Sequence, residues 1–492
     1  MKKLVILYVV IAIFQTIIYF KYYPLSFPSD DAYITFRYSE NLANGDGWVY
    51  NTGEFTSGTT SFFNTILILF LEKISNQSTE TIGRILPIVI SYVNFFILTF
   101  LLYRLTFSKI IVAIFMMLYF FNPYIYAASF SGMETNLFIF FSLIIFLMFY
   151  CNKVLITCLI SVLLPFIRPE GFLVLVLLSI FIIIKRKSYK HWVFYMTILS
   201  LSFIIYPLIN YLYFGIPVPL SVIAKYITYE NTDLIQSRYQ LIKDFFFDKW
   251  AVIFIPLICL SFIYAVKSRS KITYIFLFTF AYVFLFFIFN PWMRPWYYFV
   301  IHPFIIFLSC FGLLFLFKLI KENHVYSRLS AVNKNLIKAS SFILFLIYFA
   351  ITSFTELFHN IKNNGKHSDF NKSVIKIGTY LSDTDNIKQK KIYTADIGYI
   401  GYVTKAIIID YAGLVYPKSL EYSKYKSNYK KGRYLDWSKQ IELLKEEVPD
   451  FIVNDNIYPF YTEMKKDKFI LQNYSSVFST GTMEILKKNS NE

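Results

Sequence analysis

Charge is what this sequence has least of. Only 16% of its 492 residues are Asp, Glu, Lys or Arg, whereas soluble globular domains carry about a quarter, so a soluble enzyme is excluded as the simplest reading. Carboxylates are scarcer still, 31 against 48 Lys and Arg. The net charge of +17 does not by itself indicate nucleic acid. That reading needs a basic face on a soluble domain, and here the basic residues stand in short clusters between apolar runs. Cysteine is rare as well. Cys151, Cys158, Cys259 and Cys310 sit in or beside apolar runs without metal-ligand spacing, which excludes a disulfide scaffold and leaves buried thiols with no redox role. No small-residue cleavage site follows the basic start and apolar stretch of Met1–Phe20, since Lys21-Tyr22-Tyr23-Pro24 comes next. This segment is therefore expected to remain as a first helix. No internal repeat of fixed period is visible, which argues against an inverted-repeat transporter.

What the chain has in abundance is apolar surface, 56% of residues with 21% aromatic. Runs such as Leu4–Phe20, Phe172–Ile184, Ala251–Val266 and Ile272–Phe289 approach the length that fills a hydrocarbon core about 30 Å thick. The expected fold class is a polytopic α-helical membrane protein with about eleven spans, near 4–20, 82–103, 109–122, 134–151, 154–167, 171–184, 192–214, 250–266, 272–289, 297–317 and 339–356. Basic clusters orient it, because short positive loops stay cytoplasmic. Lys2-Lys3, Arg104 and Lys109, Lys153, Lys185 to Lys190, Lys267 to Lys271 and Lys318 to Lys338 fall at every second turn, with Glu322 as their lone carboxylate. The alternate loops hold the acids, so the N-terminus is expected inside and the acidic chemistry outside. Past Glu356 the composition changes: residues 357–492 carry 21 Lys or Arg and 16 Asp or Glu and no long apolar run. They are expected to form an extracytoplasmic α/β domain, separate from a membrane domain 1–356. Short strands are expected at Lys391–Ala395, Ala406–Asp410 and Phe451–Asn454, and an amphipathic helix at Trp437–Glu447. The other large outer pieces are 21–81 and 215–249.

The chemistry-bearing residues gather in these outer loops. Ser29-Asp30-Asp31 opens a helix in which Ser29 suits the N-cap and both carboxylates lie in the first turn. Two readings stand side by side. The pair serves as helix capping, or one of the two, at the mouth of a helical bundle, is a base for a substrate hydroxyl. Asp30 and Arg37 share a helix face, so a structural ion pair is a further alternative. The apolar stretch Ser61–Glu72 is too short to span and is expected to lie in the outer interface. Glu134 follows Ser131-Gly132-Met133, Arg168-Pro169-Glu170-Gly171 joins two spans, and Arg294 sits in Pro291-Trp292-Met293-Arg294-Pro295-Trp296-Tyr297-Tyr298. Ionisable groups at membrane depth are costly and are functional candidates; the alternatives are helix-end carboxylates and snorkelling arginines. Lys225 is another outer cation. His302, on the same helix face as Tyr298, is either a phosphate donor or a core histidine.

The order Asp30-Asp31-Ala32-Tyr33-Ile34-Thr35-Phe36-Arg37-Tyr38, Asn41-Leu42-Ala43-Asn44-Gly45, Val49-Tyr50-Asn51, Gly58 and Thr60-Ser61 resembles the first loop of GT-C fold membrane glycosyltransferases. The group containing the terminal arabinofuranosyltransferases is the most similar. Gly132-Met133-Glu134-Thr135, Arg168-Pro169-Glu170-Gly171 and Ala224-Lys225 resemble later segments of that family. Asp396-Ile397-Gly398, Ile400-Gly401-Tyr402, Ile409-Asp410 and Gly413-Leu414-Val415 are similar to its outer C-terminal domain. The chain departs from the family at Thr60-Ser61-Phe62-Phe63 and Val218-Pro219-Leu220-Ser221, so sugar and acceptor are not carried over.

The resemblance implies inverting transfer of a monosaccharide from a polyprenyl-phosphate carrier to a hydroxyl on a glycan, lipid or protein at the outer face of the plasma membrane. Asp30 or Asp31 would take the acceptor proton, Asp30 being favoured because it lies nearest the span and shares a face with Arg37. The leaving lipid phosphate gains negative charge, so Arg168, Lys225, Arg294 and Arg37 would bind the transition state more strongly than the substrate. Trp292, Trp296, Tyr297 and Tyr298 would stack on sugar or border the lipid. No cofactor is required; a divalent metal is possible but not expected, and no nucleic-acid partner is implied. The rival functions are a flippase or transporter of a lipid-linked saccharide, and a glycan ligase or polymerase with a diphosphate-linked donor. The nearly uncharged spans argue against transport.

Overall fold

The computed structural model of the protein describes residues 2–22, 28–184, 189–229, 249–268, 272–289, 295–322, 369–423, 425–428, 432–435, 437–455 and 459–489. It is mostly helical. Each expected span but the last falls on a helix or helix pair: α1 (Lys2–Tyr22), α4 (Thr79–Thr106), α5 (Lys109–Phe120), α7 (Thr135–Tyr150), α8 (Val154–Ser161) with α9 (Leu164–Ile167), α10 (Gly171–Ile184), α11 (Tyr189–Phe214), and the helices Lys249–Ser268, Thr273–Phe289 and His302–Glu322. The segment 339–356 lies outside the described residues. Among the described residues, Thr79–Thr106, Tyr189–Phe214 and Tyr297–Glu322 are long and apolar enough to cross a membrane, and α5 with α6 (Pro123–Phe130) makes a fourth if that pair, bent by 55°, is one span. The other apolar helices are shorter, so the count of eleven goes beyond what helix length establishes.

These helices are apolar on more than one face. On α4, Ile85, Val89, Val93, Phe96 and Phe100 are exposed, while Phe95, Leu98, Leu101 and Leu102 are buried. An exposed apolar stripe of this kind has no place in water and suits contact with lipid. The buried faces meet in one large core that joins Phe95, Phe115, Tyr119, Phe138, Tyr282 and Phe307. Polar pins are few and specific: Asn94 Nδ2 donates to the Asn136 carbonyl at 2.9 Å, and Asn136 Nδ2 donates to the Pro87 carbonyl at 2.9 Å, tying α4 to α7. Gly312 lies against the Leu257 carbonyl, a closeness that any side chain would forbid and that small residues permit between membrane helices.

Near the C-terminus a five-stranded sheet runs in the order β2-β1-β5-β7-β6, and a separate hairpin pairs β3 (Tyr425–Asn428) with β4 (Gly432–Leu435). β1 (Lys391–Thr394) is parallel to β2 (Ile407–Asp410) and β5 (Phe451–Asp455). β7 (Met483–Lys488) is antiparallel to β5 and β6 (Tyr474–Ser479). The three expected strands and the helix Trp437–Glu447 are present; β6 and β7 are additions. One face of the sheet, with Ile392, Ile408 and Val453, packs on Ile34, Tyr38 and Tyr50 from the first loop. The other, with Tyr393, Ile409 and Ile452, packs on Ile441 and Leu444. Burial on both faces explains why these parallel strands read as continuous apolar runs.

Candidate functional site

The first loop folds around α2 (Asp30–Asn44), ended by Gly45 in the left-handed region at φ 87°, where glycine carries no steric cost. The expected Ser29 side-chain cap does not form; its backbone carbonyl accepts from Ala32 at 2.9 Å instead. Asp30 is committed elsewhere. Its Oδ2 accepts from the backbone N–H of Gly398 at 2.8 Å and its Oδ1 from that of Tyr399 at 2.8 Å, in the first turn of the Ile397–Thr404 helix of the tail. Asp396, at the N-cap position of that helix, makes no cap bond itself. Its Oδ2 is buried without a partner.

Arg37 does not form the alternative ion pair with Asp30. It is 2% exposed, and its guanidinium donates to the carbonyls of Gly401 at 3.0 Å and Ala406 at 2.7 Å while lying 4.1 Å over the Tyr50 ring. Asp30 thus stands at the positive end of the tail helix and Arg37 at the negative end, the arrangement its dipole favours. Around them Tyr50 Oη donates to the Ile397 carbonyl, Asn51 exchanges two hydrogen bonds with the Ile408 backbone at 3.0 and 2.9 Å, and Lys405 pairs with Glu40. Most of the first-loop motif therefore grips the tail. Burial raises the Asp30 carboxyl to about 6, against the pull of the Tyr399 and Gly398 N–H groups and with a further push from Asp31. Asp396 is raised well above the usual carboxylate range by burial and by the neighbouring charges of Asp30, Asp455 and Asp31. Asp31 itself is half-buried, and its carboxylate makes no hydrogen bond or ion pair among the described residues.

A second cluster forms around Arg168, 3% exposed. Pro169 requires an extended residue before it, and Arg168 has φ −149° and ψ 140° between α9 and α10. That turn aims its guanidinium at Glu170, with Nε to Oε2 at 3.3 Å and the second nitrogen to Oε1 at 3.1 Å. It also reaches Glu134 at 3.3 Å and Thr135 Oγ1 at 3.4 Å, and lies 5.2 Å over the Tyr297 ring. Lys225, on α12 (Leu220–Tyr229), donates to Tyr297 Oη at 3.4 Å. The start of α12 is held to the first loop, where Ser57 Oγ accepts from the Leu220 N–H at 2.9 Å. The two clusters join through Ser131, whose carbonyl accepts from the Ser29 N–H at 2.9 Å, and through Gly132, packed at φ 71° against Ala32 and Pro28.

The structure therefore brings Glu134, Arg168, Glu170, Lys225 and Tyr297 together. It takes Arg37 out of the cation set and gives it to the tail. His302 stacks on Tyr124 at 4.0 Å and 17°; Tyr298 is buried in the same region. Trp292 and Arg294 lie outside the described residues, as does the side chain of Trp296. Asp396, Tyr50 and Asn51 are the residues that sequence reasoning left without a role. Among the described residues no three His, Cys, Asp or Glu side chains are arranged to hold a metal ion.

Residues 360–488 match a family described as a domain of unknown function (DUF8728), and no curated protein matches the chain. Solved structures are more informative. ArnT from Cupriavidus metallidurans bound to undecaprenyl phosphate superimposes with a TM-score of 0.60 at 11% identity, covering 98% of this chain and 98% of that one. The fold is that of the GT-C glycosyltransferases. The archaeal oligosaccharyltransferase AglB from Archaeoglobus fulgidus, in complex with an inhibitory peptide and a dolichol-phosphate, aligns with a TM-score of 0.54 at 11% identity over 94% of this chain and 71% of that one. The Archaeoglobus fulgidus oligosaccharyltransferase tethered to an acceptor peptide aligns with a TM-score of 0.53, also at 11% identity, over 94% and 70%. Within the GT-C fold, the Asp30-Asp31 pair and the Arg168 cluster sit on segments joined at Ser131.

Proposed function

We propose that the protein is an inverting glycosyltransferase that moves a monosaccharide from a polyprenyl-phosphate carrier to an acceptor hydroxyl at the outer face of the membrane. The observation that carries this reading is the juxtaposition, within a GT-C fold, of the Asp30-Asp31 pair with a cluster of buried Arg168 and half-buried Lys225. A carboxylate of the pair accepts the acceptor proton as its oxygen attacks the anomeric carbon. The bond from that carbon to the phosphate oxygen breaks, and the lipid phosphate leaves with one more negative charge. Cations gain most where charge develops. Arg168, paired with Glu134 and Glu170, Lys225 and Arg294 are the cations offered to the phosphate. Loss of one such contact costs about 2.7–4 kcal/mol of barrier by comparison with a single oxyanion donor.

The first-loop residues favour the terminal arabinofuranosyltransferase-like group among GT-C enzymes, with the N-terminus cytoplasmic and the tail extracytoplasmic. The likeness to oligosaccharyltransferases keeps block transfer from a diphosphate-linked oligosaccharide as the second reading. Transfer assayed in purified membranes with monophosphate and diphosphate donors, with and without chelator, separates the two. Monophosphate-donor transfer that survives chelation and falls in Lys225→Ala supports the proposal. Activity only on a diphosphate donor with added Mg²⁺ or Mn²⁺ overturns it.

A further inference from the structure

We propose that Asp30 and Asp31 have divided roles, Asp30 being a positioning residue that caps the tail helix Ile397–Thr404 in place of that helix's own N-cap and Asp31 being the base. This rests on the glycosyltransferase reading and assigns the parts within it. Both Asp30 oxygens are used by the Gly398 and Tyr399 N–H groups at 2.8 Å. Asp396, which stands where an N-cap side chain normally bonds those groups, makes no such bond. Each Asp30 oxygen is already occupied by a backbone donor, so a proton taken up there during attack would compete with a bond that holds the helix. A carboxylate bonded in this way is therefore suited to hold a helix and poorly suited to cycle a proton. Asp31, next in the chain and half-buried, carries no such commitment among the described residues.

The tail helix is shaped to be held. A side chain at Gly398 would run into the main chain of Asp30, and one at Gly401 into Tyr50 and Arg37, so the two glycines, three apart on one face, let the helix lie directly on the first loop. The tail thus completes the catalytic loop, and Asp30 sets where Asp31 points.

The roles separate on the variant chosen, because Asn keeps one acceptor oxygen for the helix N–H groups whereas Ala keeps none, and Asn is no base. In the full-length protein, Asp30→Asn, Asp30→Ala, Asp31→Asn and Gly398→Ala are compared for transfer from a polyprenyl-phosphate sugar and for protection of the tail against limited proteolysis. Asp30→Asn is expected to stay within about tenfold of the parent in both readouts. Asp30→Ala and Gly398→Ala are expected to lose tail protection and at least about tenfold in transfer. Asp31→Asn is expected to lose transfer by roughly a hundredfold or more with the tail still protected. Asp30→Asn as inactive as Asp31→Asn with its tail protected makes Asp30 the base and overturns the division. Unchanged tail protection in Asp30→Ala overturns the capping role. If the parent transfers nothing from any polyprenyl-phosphate donor, the glycosyltransferase reading fails, while the proteolysis arm still decides the capping.

Discussion

Replacing Arg37 by Met tests how firmly the first loop holds the tail. Met keeps most of the length and removes the charge and the donors. Two bonds disappear, to the carbonyls of Gly401 at 3.0 Å and Ala406 at 2.7 Å. They are not equivalent: Gly401 O also accepts from the Lys405 N–H at 3.1 Å, so the buried acceptor put at risk is chiefly that of Ala406. An orphaned buried carbonyl costs about 1–3 kcal/mol, and loss of the cation over Tyr50 at 4.1 Å about 1–2 kcal/mol more. Release of a buried guanidinium from its desolvation cost offsets part of this. The net is about 2–4 kcal/mol, or roughly 30- to 1000-fold in the docking equilibrium of the tail. Arg37→Lys reaches one carbonyl at a time and should lose about half as much. Limited proteolysis of the purified full-length protein, read as the cleavage rate of the tail, measures the effect. Equal cleavage rates for Arg37→Met and the parent would refute the idea that the first-loop arginine works on the tail.

Two further expectations follow from buried charge. Asp410 is fully buried and raised to about 6 by burial, against N–H bonds from Ala412, Leu414 and Val415. Asp30 is raised to the same range. Because the folded values lie above the unfolded value of about 4, the neutral forms favour the folded, docked tail: their contribution is complete below about pH 4 and is lost as pH rises through 6. Asp410 alone accounts for about 3 kcal/mol, so the denaturation midpoint of the tail should fall between pH 4 and pH 7, and a rise over that interval would count against the buried carboxylates. Arg168→Ala should lower the yield of folded protein, since it strands Glu134 and Glu170 in a buried site at about 3–5 kcal/mol; Arg168→Met combined with Glu134→Gln and Glu170→Gln should recover the yield without recovering transfer, as read by detergent-extracted protein and donor turnover.

The helices were legible because hydrophobic runs are local. Within the described residues the apolar segments named from the sequence fall on helices, and β1, β2 and β5 stand out because burial on both faces leaves them without polar interruptions. β6 was not legible: Ser475, Ser476 and Ser479 make it a polar edge strand with its outer positions exposed. Arg168 and Glu170 were legible as a site because the turn that pairs them is two residues long. Asp30 and Arg37 were recognised as special, but their partners lie 368 and 364 residues away, and nothing in a helix-capping pattern says which helix is being capped. The bent α5–α6 pair likewise follows from Asn122-Pro123 only once the packing is known: Asn122 Oδ1 caps the second helix at Tyr124 and Ile125.

The contact between the start and the end of the chain also sets an order of events during synthesis. A ribosome that has made α2 has made Arg37, a cation whose two carbonyl acceptors, Gly401 and Ala406, do not yet exist. Until they emerge, Arg37 has only water and Tyr50. Closing so long a loop adds little entropy cost beyond that of a shorter one, but the tail carries the parallel pairing of β1 with β2 and β5, and such non-local pairing is slow. The first loop is therefore made early and is among the last segments to reach its final form. A chain truncated anywhere before the sheet would leave the Asp30–Asn44 helix without the tail that Asp30 and Arg37 hold.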